Sequence, residues 1–157
     1  MTDLSSAREL FFSKLSHKFS QSEIKLMSNT FLIERLGLSK TEIMLGGEVE
    51  VPPPDFKYFG DVIDRLIKDE PFQYIAGTTE FYGLELKCDS RALIPRPETE
   101  ELVQWMIDSI PCESVLRIGD ICSGSGCIGL ALKSKLKMCI IDSYELSDEA
   151  LSLIADN

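Results

Sequence analysis

One stretch, residues 115–132, constrains the fold of this chain more than any other; it reads VLRIGDICSGSGCIGLAL. An apolar run from Val115 reaches Asp120, a Gly/Ser turn follows, and a helical pattern begins near Cys127. Glycines let a backbone approach a ligand closely, and the N–H groups at a helix start face such a ligand. The order of strand, tight loop and helix N-terminus therefore predicts an α/β unit with a site for a nucleotide-type cofactor.

A second acid follows this unit at the end of the next apolar run. The run begins with the apolar residues 138–141 and leads to Tyr144-Glu145. An acid at that point can accept hydrogen bonds from both hydroxyls of an adenosine ribose. Asp142 competes for this role, and the end of the strand decides between them. We favour Glu145 because Leu146-Ser147 has the character of a loop and a helix cap. The alternative for Glu145 is a solvated acid at a strand end.

The glycine loop also satisfies a dinucleotide-binding pattern. Residues 124–129, GSGCIG, match GxGxxG, which is weak evidence by itself for a nicotinamide or flavin cofactor. Asp120 argues against that cofactor, because a carboxylate repels a pyrophosphate but attracts a cationic amino-acid group. S-adenosylmethionine carries an ammonium and a sulfonium and no phosphate, so it suits Asp120 better. The simpler alternative is that Asp120 caps the next helix or pairs with a lysine.

Residues 1–72 are predicted to form a small helical bundle. Apolar residues recur at helical spacing over residues 4–19, and residues 20–23 (SQSE) and 39–42 (SKTE) are capping boxes for a second and a third helix. A fourth apolar stripe over residues 56–67 ends before Pro71. Core packing is the function expected of these stripes.

Residues 73–94 are predicted to form a β-hairpin linker. The segments 78–81 and 84–88 alternate in polarity and meet across Tyr82-Gly83, which favours two strands joined by a tight turn. Residues 91–94 are a candidate for a third extended piece.

Residues 95–157 are predicted to form part of a cofactor-binding domain. Pro97 and the acids after it open a helix that Pro111 closes. The residues predicted on its apolar face are Leu102, Val103, Met106, Ile107 and Ile110, with Trp105 at the margin. A capped helix starts at Ser147, and two strands alone make an incomplete doubly wound sheet. The fold is therefore expected to be truncated.

Composition excludes several classes of protein. A formal net charge of −10 argues against a nucleic-acid-binding surface, and no apolar run approaches the length of a membrane span. The N-terminus lacks a signal-peptide pattern, so a soluble cytoplasmic protein is expected. The five cysteines have irregular spacing and the single histidine, His17, lies far from them in sequence. We expect reduced, mostly buried thiols, no disulfide and no metal site, with Cys122 in the loop as the thiol to examine.

Three segments resemble the bacterial release factor glutamine methyltransferases, also called the HemK or PrmC family. They are residues 70–77 (EPFQYIAG), 80–83 (EFYG) and 93–103 (LIPRPETEELV). The resemblance is diffuse in the helical bundle and sharp from residue 70 onward. It implies an N-terminal helical domain, a β-hairpin linker and a Rossmann-like class I methyltransferase domain. It also implies methylation, during translation termination, of the glutamine amide in the Gly-Gly-Gln loop of peptide chain release factors, with S-adenosylmethionine as methyl donor.

The resemblance also implies positions for the cofactor site. The family's acid before the loop falls on Asp120, its ribose-binding acid on Glu145, and an asparagine of the following helix on Asn157. The family's glycine-rich loop falls on Cys122, Ser123, Gly124, Ser125 and Gly126. Cys122 replaces the more common first glycine, and it would be strained if that position needs a positive φ. Arg96, Glu98 and Thr99 are expected near the amino-acid end of the cofactor, without assigned contacts.

One family motif has no counterpart in these 157 residues. The family holds the substrate amide with an Asn-Pro-Pro-Tyr motif, which orients a poorly nucleophilic nitrogen toward the methyl carbon. No catalytic residue is therefore assigned, and this chain is expected not to methylate by itself. Two alternatives stay open: a non-catalytic module that binds release factors, and a fragment of an NAD-binding oxidoreductase.

Overall fold

The computed structural model describes residues 3–45, 49–111, 113 and 115–157. The chain divides into two compact units, Met1–Ala76 and Gly77–Asn157. The division predicted from the sequence assigns functions to three segments: a docking domain (1–72), a linker (73–94) and a partial cofactor domain (95–157). This assignment of functions stays a prediction.

The first unit is helical in its described residues, as the sequence predicts. Its helices are α1 (Leu4–Leu15), α2 (Gln21–Leu36), α3 (Lys40–Leu45), α4 (Pro53–Ile67) and α5 (Phe72–Ala76). Both predicted capping boxes are confirmed. The Ser20 N–H donates to Glu23 Oε2 at 2.8 Å, and the Ser39 N–H donates to Glu42 Oε2 at 2.8 Å. These bonds satisfy backbone groups that a helix leaves unpaired at its start.

Three phenylalanines form the centre of the first unit's core. Phe11, Phe31 and Phe59 come from α1, α2 and α4, and each is fully buried. The rings of Phe11 and Phe59 lie 5.9 Å apart between centroids. The periodic apolar stripes therefore serve as core, as expected. The short helix α5 was not predicted, because a helix of a single turn shows no periodicity.

The second unit combines a hairpin with a βαβ arrangement. Its elements are β1 (Thr78–Phe81), β2 (Leu84–Lys87), α6 (Pro97–Ser109), β3 (Arg117–Ile121), α7 (Cys127–Lys135), β4 (Ile140–Tyr144) and α8 (Asp148–Asp156). β1 and β2 pair antiparallel, whereas β3 and β4 pair parallel with α7 between them in the chain. This is the mixed architecture predicted for the first part of a methyltransferase fold. None of the helices in the described residues is long and apolar enough to cross a membrane.

Two local predictions for the second unit are wrong. Residues 91–94 form a turn and coil rather than a strand, because the Asp89 carboxylate accepts the Arg91 N–H at 3.0 Å and holds the chain in a turn. In α6, Val103 is buried and Met106, Ile107 and Ile110 pack against the core as predicted, whereas Leu102, predicted on the same face, is 42% exposed. Trp105, predicted at the margin of this face, is 70% exposed.

None of the cysteines that the structure describes forms a disulfide. Cys88 and Cys139 are buried, Cys127 is half-buried and Cys122 is exposed. Burial raises the pKa of the Cys88 thiol to about 11, and the Asp89 carboxylate adds to the shift. Cys112 lies outside the described residues. Cys122 is thus the accessible thiol of the described set, in the loop that the sequence singled out.

Candidate functional site

The candidate site lies where β3 and β4 end. β3 ends at Ile121, α7 begins at Cys127, and the intervening loop comprises residues 122–126. The N–H groups of Cys122 and Ser123 donate to the Tyr144 carbonyl oxygen at 2.8 and 3.2 Å. The carboxyl ends of adjacent parallel strands meet at one edge of a sheet, which is where open α/β sheets bind ligands. The loop is therefore fastened to the end of β4.

Three residues of this loop have left-handed backbone conformations. Their φ angles are 62° at Cys122, 55° at Gly124 and 77° at Gly126. Glycine adopts such angles freely, but a residue with a Cβ pays roughly 1–2 kcal/mol for them. The sequence analysis expected strain at Cys122 if that position has a positive φ. The φ is positive, so Cys122 carries this strain.

The glycines of the loop and of α7 face different surroundings. A Cβ added to Gly124 would meet no atom within 4 Å, so the backbone there borders open space. A Cβ on Gly126 would lie 3.2 Å from Ile154 of α8, and one on Gly129 would lie 3.1 Å from both Asp120 Oδ2 and Ile141 Cγ2. Gly126 therefore permits the close approach of α8, and Gly129 permits close packing of α7 on β3 and β4, whereas Gly124 leaves room for a ligand to approach.

Glu145 reaches the loop with its carboxylate. Its Oε2 accepts the Gly124 N–H at 2.8 Å, and its Oε1 accepts the N–H groups of Leu146 and Ser147 at 2.8 and 3.1 Å. These backbone donors, that of Gly124 first, lower the pKa of Glu145. A carboxylate has about four acceptor positions, so about one remains for an outside donor. The side chain of Glu145 is thus held, ionised, against the loop.

Asp142, the competing acid, points to a different partner. It lies within β4 opposite Gly119, and its carboxylate pairs with Arg117 at 2.5 Å. That ion pair lowers the pKa of Asp142. The carboxylate that the structure brings to the loop is therefore the one of Glu145.

Asp120 occupies the boundary between β3 and the loop. It is half-buried, and its Oδ2 accepts the N–H of Gly129 in the first turn of α7 at 3.1 Å. Burial raises the pKa of Asp120, and the bond from Gly129 opposes that shift. Helix capping, the alternative that the sequence offered for Asp120, therefore accounts for one of its two carboxylate oxygens. A half-buried carboxylate whose charge is disfavoured gains most from a cation placed beside it.

The structure gathers the predicted site residues at one edge of the β3–β4 sheet. They are Asp120, Cys122, Ser123, Gly124, Ser125, Gly126 and Glu145. Arg96, by contrast, is the exposed N-cap of α6, and its carbonyl accepts the Thr99 N–H at 3.0 Å. The contacts that any of these side chains makes with a cofactor stay predictions.

Asn157 bonds to this loop in a way that the sequence did not indicate. Its Nδ2 donates to the Ser125 carbonyl oxygen at 3.4 Å, and its Oδ1 accepts the Lys87 N–H of β2 at 2.6 Å. These partners lie far away in sequence, so no local pattern could have identified the contact. The signal in the sequence that pointed to Asn157 was its match to an asparagine of the family.

Comparisons with known proteins agree with the resemblance. A family model described as the PrmC N-terminal domain matches residues 13–77. A release factor glutamine methyltransferase of Bacteroides thetaiotaomicron is 35% identical over 135 residues, which are 86% of this chain and 48% of that protein. One from Streptococcus pneumoniae is 38% identical over 153 residues, or 92% of this chain and 54% of that protein. The chain therefore spans about half the length of these curated relatives.

Proposed function

Because the chain belongs to the release factor glutamine methyltransferase family, we propose that it forms the N-terminal half of such an enzyme. The proposed reaction transfers a methyl group from S-adenosylmethionine to a glutamine side-chain amide of a peptide chain release factor. Release factors act in translation, so we place the enzyme in the cytoplasm. In this proposal residues 1–72 dock the release factor and residues 95–157 contribute part of the cofactor site. Residues 73–94 connect these two segments.

The observation that carries the proposal is the position of the Glu145 carboxylate against the loop at Gly124. Ribose hydroxyls are donors that an ionised carboxylate accepts well, and the space beside Gly124 is open. A dinucleotide fits less well. Its pyrophosphate would need loop N–H groups, but those of Cys122, Ser123 and Gly124 already donate within the protein.

Each acid has a distinct function in the proposed site. Asp120 would hold the ammonium of the cofactor's amino-acid group, because a cation beside a half-buried carboxylate offsets its loss of hydration. Glu145 would orient the ribose. When bound, S-adenosylmethionine supplies an electrophilic methyl group on its sulfonium, and the protein contributes orientation. The small loop residues Ser123 and Ser125 are buried and leave the backbone close to that ligand.

Isothermal titration of this chain with S-adenosylhomocysteine tests the cofactor assignment. We expect binding by the wild type and a loss of about tenfold or more in Glu145→Gln, because hydrogen bonds to a charged group contribute about 1.5–3 kcal/mol. Asp142→Asn is the matched control, since it removes an acid that pairs with Arg117 outside the loop. Its affinity should stay within about twofold of wild type. Tighter binding of NADH, or equal losses in both variants, would contradict the proposal.

A second candidate function is a non-catalytic module that binds release factors. It is favoured by the first unit, which has its own core and contains nearly all of the segment that matches the PrmC N-terminal domain. Titration with a purified release factor separates the two functions. Binding of the release factor together with no binding of S-adenosylhomocysteine would support the module. Binding of S-adenosylhomocysteine with the expected loss in Glu145→Gln would support the half-enzyme.

A further inference from the structure

The end of α8 contacts both the hairpin and the glycine loop through one side chain. The carboxamide of Asn157 accepts the Lys87 N–H at 2.6 Å and donates to the Lys87 carbonyl oxygen at 3.4 Å. The same Nδ2 donates to the Ser125 carbonyl oxygen at 3.4 Å. Because an amide carries both a donor and an acceptor group, it can bond to the two segments at once.

The contacts of α8 with the hairpin do not depend on Asn157 alone. Asp156, the neighbouring residue, pairs with Lys87 at 3.7 Å and with Arg91 at 2.8 Å. Arg91 also donates to the Ser152 hydroxyl at 2.8 Å. Asn157, by contrast, adds a bond to the loop at the Ser125 carbonyl oxygen. Loss of Asn157 should therefore disturb the loop more than the hairpin.

The loop needs such support because its backbone is strained. Cys122 has a φ of 62° with a Cβ present, whereas Gly124 and Gly126 adopt their positive φ angles freely. Strained conformations persist only where surrounding contacts hold them. A hydrogen bond to the Ser125 carbonyl restrains the peptide group that joins Ser125 to Gly126, next to the start of α7.

We propose that Asn157 is a positioning residue for cofactor binding: its carboxamide fastens the Ser125–Gly126 peptide of the loop to strand β2. The proposal rests on the proposed function of the loop as the site for S-adenosylmethionine. Asn157 acts through Ser125 and the loop backbone, and it touches no cofactor atom in this proposal. Its loss should weaken the ligand by moving the loop, without removing any group that contacts the ligand.

Two nearly isosteric substitutions at neighbouring positions test this proposal. Asn157→Asp keeps an oxygen that accepts the Lys87 N–H, but it cannot donate to Ser125 and places a carboxylate beside two carbonyl oxygens. Asp156→Asn removes the ion pairs to Lys87 and Arg91 and leaves Asn157 intact, which makes it the control. The measurements are the affinity for S-adenosylhomocysteine by titration and hydrogen exchange of the loop amides without ligand. Urea unfolding of each variant identifies conditions in which it is fully folded.

We expect Asn157→Asp to bind S-adenosylhomocysteine about tenfold more weakly and to exchange its loop amides faster, since one or two hydrogen bonds are lost. Asp156→Asn should stay within about twofold in affinity even if it is equally destabilised. Wild-type affinity in Asn157→Asp, or equal losses in both variants, would overturn the proposal. If the wild type binds no S-adenosylhomocysteine, the proposed function fails and the role in cofactor binding fails with it. Faster loop exchange confined to Asn157→Asp would still support the contact with the loop, and unchanged exchange would refute that contact too.

Discussion

Replacement of Cys122 by glycine should stabilise the second unit, although it removes a side chain. Cys122 has a φ of 62°, and its thiol is exposed, so the residue pays for a left-handed backbone and gains little from burial. Glycine adopts this conformation without the contacts between Cβ and backbone that cause the strain.

The expected gain is a difference between two effects. Relief of the left-handed conformation is worth about 1–2 kcal/mol. The change to glycine also lowers the free energy of unfolding by about 0.5–1 kcal/mol, because the unfolded chain becomes more flexible. The two ranges leave a net increase in the free energy of unfolding of about 0–1.5 kcal/mol, with a midpoint of about 0.75 kcal/mol. For a chain of this length the midpoint corresponds to a rise in Tm of roughly 1.5–3 °C.

Urea unfolding followed by fluorescence measures this change. The single tryptophan, Trp105, lies in α6 and reports on the second unit. Cys122→Ala is the matched control, because alanine lacks the thiol but keeps the Cβ that causes the strain. Gly124→Ala is the reverse control. Its φ is 55° and its new Cβ would meet no atom within 4 Å, so only the conformational cost should appear.

The strain argument fails if Cys122→Gly is no more stable than Cys122→Ala while Gly124→Ala is destabilised. That result would mean that the backbone at Cys122 does not hold a left-handed conformation in solution. A gain in Cys122→Ala as large as that in Cys122→Gly would instead trace the effect to the thiol. The expected order of stability is therefore glycine above alanine at both positions, 122 and 124.

Three further outcomes are expected. Gly129→Ala should lower the free energy of unfolding by about 1–2 kcal/mol in the same assay, although alanine favours helices, because its Cβ would lie 3.1 Å from Asp120 and from Ile141; a neutral result would contradict the close packing. Mass-spectrometric peptide mapping after iodoacetamide treatment at pH 8 should show Cys122 alkylated before Cys88, which is buried and has a pKa of about 11; the opposite order would refute the described exposures. The pKa of Glu145 is lowered from 4.5, so its ionised form stabilises the fold above that value and the contribution is lost as pH falls through the lower folded pKa. The stability difference between wild type and Glu145→Gln should accordingly shrink between pH 5 and 3 in urea titrations, and a difference that grows would have the wrong sign.

The local structure of this chain was predictable where short-range chemistry decides it. The capping boxes at Ser20 and Ser39 each join residues three positions apart, so the serine and the glutamate identify the helix start. The hairpin turn at Tyr82-Gly83 was predictable for the same reason, because β1 and β2 pair directly across it. Residues 91–94 were predicted wrongly, because the bonds between Asp89 and Arg91 outweighed a composition compatible with a strand.

The candidate site was predictable in its residues but not in its contacts. The spacing of acid, small-residue loop and second acid identified Asp120 and Glu145 as candidates. That Glu145 accepts the Gly124 N–H, and that Asp142 pairs with Arg117, depends on the register of β3 against β4. A register between parallel strands follows from packing along their whole length, which no single motif encodes.

By itself, the sequence determined the order of the helices and strands other than α5, the helix caps, the hairpin and the small-residue loop, because each depends on residues that are close in the chain. The tertiary structure alone decided which atoms of that loop are held and by what. Its hydrogen bonds with Glu145 and Asn157 join segments that are distant in sequence. Such contacts form only when several packed elements meet, so the strain at Cys122 and the bond from Asn157 became visible only in the folded chain.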